Sequence, residues 1–294
     1  MGKTREIKKR IKAVGNIRRI TKTMQMIATS KFAKAQQAAT ASKPYTEALF
    51  ELVGQLAAGL GDATHPLLDA GKGRKQEAKE LTLILTSDRG LCGPYNGTIL
   101  RSAMLLMRSN PAAKAGLIDL VGRKGVNFLK FSGIPVAKQH TQFGDKPTYD
   151  AVQALAEEYT QRFIAGEVSK VRVVYMKYLS AGRQTATTMQ LLPFQTTKPA
   201  EATPAKGTVP VYEFSPSAGE LLDVLLPAAV RALLFQAFND AIVSEHIARM
   251  VAMKSATDNA GKMGKRLTRV YNRARQAQIT TELTEIISGA AALE

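Results

Sequence analysis

A single cysteine, Cys92, stands in the 294 residues, and that scarcity removes whole classes of protein. One thiol builds neither an internal disulfide framework nor a zinc site resting on paired cysteines, and a reducing compartment is its simplest setting. Long hydrophobic runs are missing too. The most apolar stretch, Leu221 to Val230, is broken by Asp223 and Pro227, so the sequence predicts no membrane span, and any membrane role would be peripheral. Acidic side chains are few: 24 Asp and Glu against 41 Lys and Arg leave a formal net charge of +17. Such an excess points to an acidic partner without choosing among nucleic acid, anionic lipid and acidic protein.

The shortage of acids is sharpest at the start, where eleven Lys or Arg up to Lys34 face only Glu6. A basic leader of this kind resembles an organellar transit peptide, but Met1 to Lys9 is not Ser-rich and the helical pattern continues without a cleavable break. The segment therefore reads as mature structure. Glycine is absent between Gly15 and Gly54, and Pro44 is the only proline of the first 61 residues. Ile7, Ile11, Val14, Ile17, Ile20, Met24 and Ile27 recur in steps of three or four, one stripe of a long helix. Their mean step is below 3.6, so two such helices would wrap left-handed.

From 62 to 80, His65, Pro66, Gly71 and Gly73 mark a loop, and the pattern then changes. Leu81 to Thr86 is a short strand-forming run followed by a glycine-punctuated turn and a helix over 98–109. Leu117 to Val121 predicts a second strand, 149–166 a helix, and 171–179 and 186–194 two long alternating strands. Strands alternating with helices predict a Rossmann-like α/β domain with a largely parallel sheet closed by an antiparallel pair. Residues 196–208, rich in proline and alanine, predict an exposed loop.

From Ser217 to Ser288 the chain reads as helix again, with a kink expected at Pro227. Met253, Ala256, Ala260, Met263, Leu267, Val270, Ala274 and Ala277 satisfy a heptad template and predict a coiled-coil seam. About 70 helical residues at ~1.5 Å each span ~105 Å, twice the ~50 Å diameter of a compact globule of this length. The two terminal helices flank the same α/β domain, so their pairing must be antiparallel. The expected fold is α/β with a long antiparallel two-helix coiled coil: 1–61 one helix, 62–216 the α/β domain, 217–294 the other helix. The longer C-terminal helix should end as a single-helix tip carrying Ile279, Leu283, Ile286, Ile287, Ala290 to Ala292 and Leu293, apolar enough to sit inside something.

Specific chemistry is hard to find in the residues. Gly90, Gly93 and Gly97 follow a strand and precede a helix, but their spacing is neither the dinucleotide fingerprint nor a P-loop, and no Gly-Lys-Ser/Thr follows. Cys92 has no sequence-adjacent base, since His65, His140 and His246 lie in unrelated segments; it reads as a small buried residue. No catalytic, cofactor-binding or metal residues are predicted. A second basic cluster, Lys262, Lys265, Arg266, Arg269, Arg273 and Arg275, keeps open a basic coiled-coil protein that binds nucleic acid or acts as a scaffold.

Four motifs then narrow the field. Ile279-Thr280-Thr281-Glu282-Leu283-Thr284-Glu285-Ile286-Ile287-Ser288-Gly289-Ala290 resembles the C-terminal signature of ATP synthase gamma subunits. The segments Ile17 to Ala28, Ser87-Asp88-Arg89-Gly90-Leu91-Cys92-Gly93 and Met250 to Ala260 resemble the same family in the same order, over essentially the whole chain. Pro94 and residues 196–208 are modest departures from the family pattern. With Cys92 alone, the regulatory cysteine pair of the chloroplast type has no counterpart.

The resemblance implies a non-catalytic coupling subunit without cofactors: a rotating central shaft that couples proton flow to ATP synthesis. Its implied partners are the alpha and beta subunits of a catalytic hexamer, the epsilon subunit and a ring of membrane-embedded proton carriers. Nucleic acid is not among them, and membrane association arises only through the complex, at the cytoplasmic face of the bacterial inner membrane. By the same similarity Met24, Arg249, Arg275, Gln276 and Thr280 fall where the shaft meets the catalytic subunits or affects coupling.

Overall fold

We describe the chain from a computed structural model, which describes residues 2–59, 65–68, 78–144, 146–195 and 218–291. The expected loop over 196–208, most of the loop over 62–80, and Ala292 and Leu293 lie outside the described residues. Two helices dominate: α1 (Gly2–Gly59, 58 residues) and α6 (Ala218–Ala291, 74 residues). Helix α1 continues through Pro44 and α6 through Pro227. Between them lie β1 (Lys79–Leu85), α2 (Tyr95–Ser109), α3 (Pro111–Lys114), β2 (Leu117–Val121), α4 (Arg123–Phe131), β3 (Lys138–His140), α5 (Tyr149–Ile164), β4 (Val168–Ser180) and β5 (Arg183–Leu192).

The chain forms two compact units, Lys31–Ala248 and Met1–Ser30 with Arg249–Glu294. This division falls inside both long helices, away from the positions 61/62 and 216/217 expected from the sequence. The reason is packing: Leu49, Val53 and Leu56 of α1 and Leu222, Leu226, Val230, Leu234 and Phe238 of α6 are core residues of the α/β unit.

In that unit the sheet order is β3-β2-β1-β4-β5, with β3, β2, β1 and β4 parallel and β5 antiparallel to β4. Strand β1 is central and its residues Leu81–Leu85 are buried, because both faces are covered, as parallel sheets require. Leu81, Leu83 and Leu85 point into a core shared with α1, α5 and α6, while Ile84 joins Ile118, Leu120 and Val174 under Tyr95, Ile99, Ala103 and Met107 of α2. The edge strand β3 and the helices α3 and α4 were not read from the sequence, because each is short.

One correction concerns hydropathy. Helix α6 contains an 18-residue window of mean hydropathy 1.7, long and apolar enough by composition to cross a membrane, although no uninterrupted run signals it. Its residues between Leu222 and Ala241 pack on the sheet, so the apolarity there belongs to a core.

Candidate functional site: the surface of the paired terminal segments

In the second unit the start of α1 and the end of α6 run side by side in opposite directions. Thr4 Oγ1 donates to Gln278 Oε1 at 3.1 Å, and the hydroxyls of Thr21 and Thr257 are 2.8 Å apart. A Cβ built on Gly264 would come within 4.0 Å of Val14, and one on Gly261 within 3.5 Å of Arg18. These contacts place Ile17 near the level of Gly261, and Met24 near that of Lys254.

Burial fixes the seam. On α6 the least exposed positions are Met253, Thr257, Ala260, Gly264, Leu267, Tyr271, Ala274 and Gln278, alternating steps of four and three. On α1 they are Thr4, Ile7, Ile11, Val14, Thr21, Gln25 and Ala28, the same rhythm with the place between Val14 and Thr21 taken by Arg18. The sequence placed half of the α6 seam one residue early, at Ala256, Met263, Val270 and Ala277, and the α1 stripe one residue early from Ile17 onward. One residue is about 100° of rotation on a helix. Ile17 (52% exposed), Ile20 (55%), Ile27 and Met263 (54%) therefore stand on the surface. Apolarity misled because the inside of this pair takes Thr257, Gly264 and Gln25, small or polar groups that let the backbones approach.

The displacement makes the pair two-faced. In antiparallel helices, residues just before the seam positions lie on one flank of the pair and residues just after them on the other. The first flank carries Ile17, Ile20, Met24, Ile27, Met263 and Val270, with Arg266 and Arg273 interspersed on α6. The opposite flank carries two adjoining hollows of about 450 and 650 Å³, lined by Arg18, Arg19, Lys22, Lys254, Lys262 and Lys265, with Asp258 the only acid among the lining residues. Beyond Gln278 every described residue of α6 is exposed, including Ile279, Leu283, Ile286 and Ile287, so the helix continues there as a single strand of structure.

The five positions singled out from the sequence are spread along this unit and form no single cluster. Met24 lies on the apolar flank, 37% exposed. Arg249, at the unit's start, is half-buried. Arg275 follows the seam residue Ala274 on the basic flank, and Gln276 is exposed with its carbonyl accepting from Thr280 Oγ1 at 3.0 Å. Ile17, Ile20 and Met263 are exposed surface residues that the sequence had assigned to the interior; the two consecutive three-residue steps from Val14 to Ile20, which slip off a heptad, were the signal for the first two.

In the α/β unit the glycine turn after β1 is filled by its own side chains. Asn96 Oδ1 accepts from the Ser87 backbone at 3.0 Å while its amide reaches Ser87 Oγ at 2.7 Å and Cys92 Sγ at 3.3 Å. A Cβ on Gly122 or Gly125 would collide with Thr86, so these glycines serve close packing between β1 and the start of α4. Cys92 is buried. His140 lies 3.5 Å from Asp119, which also accepts from the Tyr159 hydroxyl at 2.9 Å; burial first, and that carboxylate second, hold the Tyr159 phenol well above its ordinary range. His65 lies 3.1 Å from Asp223, and burial lowers its pKa against the raising effect of that carboxylate. Among the described residues no three His, Cys, Asp or Glu side chains converge as metal ligands would.

Comparison with known proteins follows this geometry. A family model described as ATP synthase matches residues 3–293. The ATP synthase gamma chain of Rhodopirellula baltica is 43% identical over 299 residues, covering 100% of both chains, and that of Geobacter metallireducens is 40% identical over 298 residues, again covering 100% of both. Among solved structures, the Euglena gracilis mitochondrial ATP synthase rotor has a chain with a TM-score of 0.63 at 17% identity, covering 95% of this chain and 99% of that one, a likeness of fold. The match decides between the two readings that the charge left open, a coupling subunit and a nucleic-acid or scaffold protein. With whole-length identity of this order to curated gamma chains, the chain belongs to the ATP synthase gamma family, the non-catalytic central-stalk subunits of that enzyme.

Proposed function

We propose that the paired terminal segments are the part of this central stalk that drives catalytic subunits, through two chemically different flanks. The observation that carries this reading is the apolar flank of Ile17, Ile20, Met24 and Met263 set opposite the basic hollows of Arg18, Lys22 and Lys254. Alpha and beta subunits around such a rod meet apolar surface at one angle and positive charge at another, so rotation changes each site's preference in turn. Converting a site from mostly one state to mostly the other takes about 5 kcal/mol of differential contact energy, which many contacts along a rod supply and one residue does not. Met24 acts on the apolar flank and Arg275 on the basic one, with Arg249, Gln276 and Thr280 adding polar contacts at other heights. The exposed tip beyond Gln278 sits within the hexamer.

The α/β unit meets the epsilon subunit and the ring of proton carriers, a reading supported by solved structures of similar fold, the Euglena gracilis mitochondrial ATP synthase rotor and the Tetrahymena thermophila central stalk with its c-ring. The subunit is a peripheral part of a membrane complex, and its bacterial relatives support the cytoplasmic face of the inner membrane. The test is rotation of the reconstituted complex. Replacing Ile17, Ile20 and Met263 by Gln, and separately Lys22 and Lys254 by Gln, should each lower torque and coupled synthesis while leaving the subunit folded. Full torque in both variants would refute the two-flank reading.

A further inference from the structure

Helix α2 is apolar on two faces. Ile99, Ala103 and Met107 pack toward the sheet, while Leu100, Met104 and Leu105 follow a second stripe that lines a groove against α4. Phe128 of α4 lines the same groove, whose cavity volume is about 620 Å³. Its floor is deep, since Leu100 is buried, and its walls are open: Leu105 is 57% exposed and Phe128 41%. Gly97 at one end leaves open space where a side chain would stand. All the charged groups that line it are positive: Arg101, Arg108 and Lys124.

Leu105 and Phe128 lie on the surface at a cost in exposed apolar area that a covering partner would relieve. Two helices with facing apolar stripes form the trough into which a third helix packs, and from Gly97 to Arg108 the trough is ~16 Å long, about three turns of a guest. We propose that this groove is a docking site for an acidic amphipathic helix of a partner polypeptide. Its apolar residues at i, i+3, i+4 and i+7 would lie on Leu100, Met104 and Phe128, and carboxylates along its edges would pair with Arg101, Arg108 and Lys124. Concavity favours a helix over a lipid surface, which would call for a convex face. The site lies within the α/β unit and stands whether or not the rod works as described above.

The test uses the full chain and a synthetic 14-residue helical peptide with Leu at i, i+3, i+4 and i+7 and Glu on both edges. A Lys-edged version of the peptide and phosphatidylglycerol vesicles serve as the competing probes. Fluorescence anisotropy should show saturable binding of the Glu peptide that weakens about fivefold or more in R101E/R108E and again in L105S/F128S. Because the rod is also basic, K22E/K254E should leave that affinity within about twofold. Equal binding of the Lys peptide, unchanged affinity in both groove variants, loss only in K22E/K254E, or vesicle binding without peptide binding would each overturn the proposal. All four groove positions sit on the surface, and an unchanged melting curve confirms that the variants are folded.

Discussion

Three substitutions separate the seam seen in the structure from the stripe read in the sequence. Ala260 is buried, Gly264 sits on the seam and Met263, one residue away, is 54% exposed. Ala260→Leu adds three carbons between two close backbones and should cost about 1 to 3 kcal/mol. Gly264→Ala should do the opposite. Its Cβ would meet Val14 Cγ1 at 4.0 Å, an ordinary contact, and replacing a mid-helix glycine gains about 0.5 to 1 kcal/mol of backbone entropy. Met263→Ala removes a side chain already in water and should change stability by no more than about 0.5 kcal/mol. The assay is amide hydrogen exchange of the full chain, reading opening free energies over residues 5–28 and 253–278, because those segments form their own unit. If Met263→Ala cost as much as Ala260→Leu, or if Gly264→Ala destabilised the pair, the assignment of inside and outside would be wrong.

Asp240 gives a pH prediction. Burial pushes its carboxyl up to about 6 from 3.8, against the opposing effects of Gln236, Lys177 and Lys43, so the native state holds this proton more tightly than the unfolded chain. The contribution of Asp240 to stability is then fully present below pH 4, is lost as pH rises through 6 and changes no further above. Asp240→Asn should stabilise the protein above pH 7 by up to about 3 kcal/mol and have little effect at pH 4, in urea titrations at both values. Tyr159→Phe removes the hydroxyl that donates to Asp119 and should lower stability by about 1 to 3 kcal/mol in the same titration. Truncation after Ile279 in a reconstituted complex should lower torque and assembly while hydrolysis by the catalytic subunits persists, measured as uncoupled turnover; complete loss of hydrolysis would count against the passive tip.

The amino-acid sequence alone carried the class of every element except β3, α3 and α4, together with the sheet's hand-off from parallel to antiparallel. Leu81–Thr86, Leu117–Val121 and the two long alternating strands are each dictated by apolar runs and turn residues, local signals that survive without knowledge of their neighbours. The heptad rhythm of α6 was legible for the same reason. Family membership was legible in the four motifs, although Met24, Arg249, Arg275, Gln276 and Thr280 came from that resemblance alone. The structure spreads them along the paired segments, with Gln276 and Thr280 joined, one turn apart, by the bond from the Thr280 hydroxyl to the Gln276 carbonyl.

Tertiary structure decided the phase. In a two-helix pair each residue is covered from one side only, so Thr257, Gly264 and Gln278 can face inward at little cost while Ile17, Ile20 and Met263 face out. Apolarity marks the buried side of a helix when one environment is oil and the other water. On the function proposed above a second apolar environment belongs to a partner, and only the coordinates distinguish the side closed by the chain from the side left open.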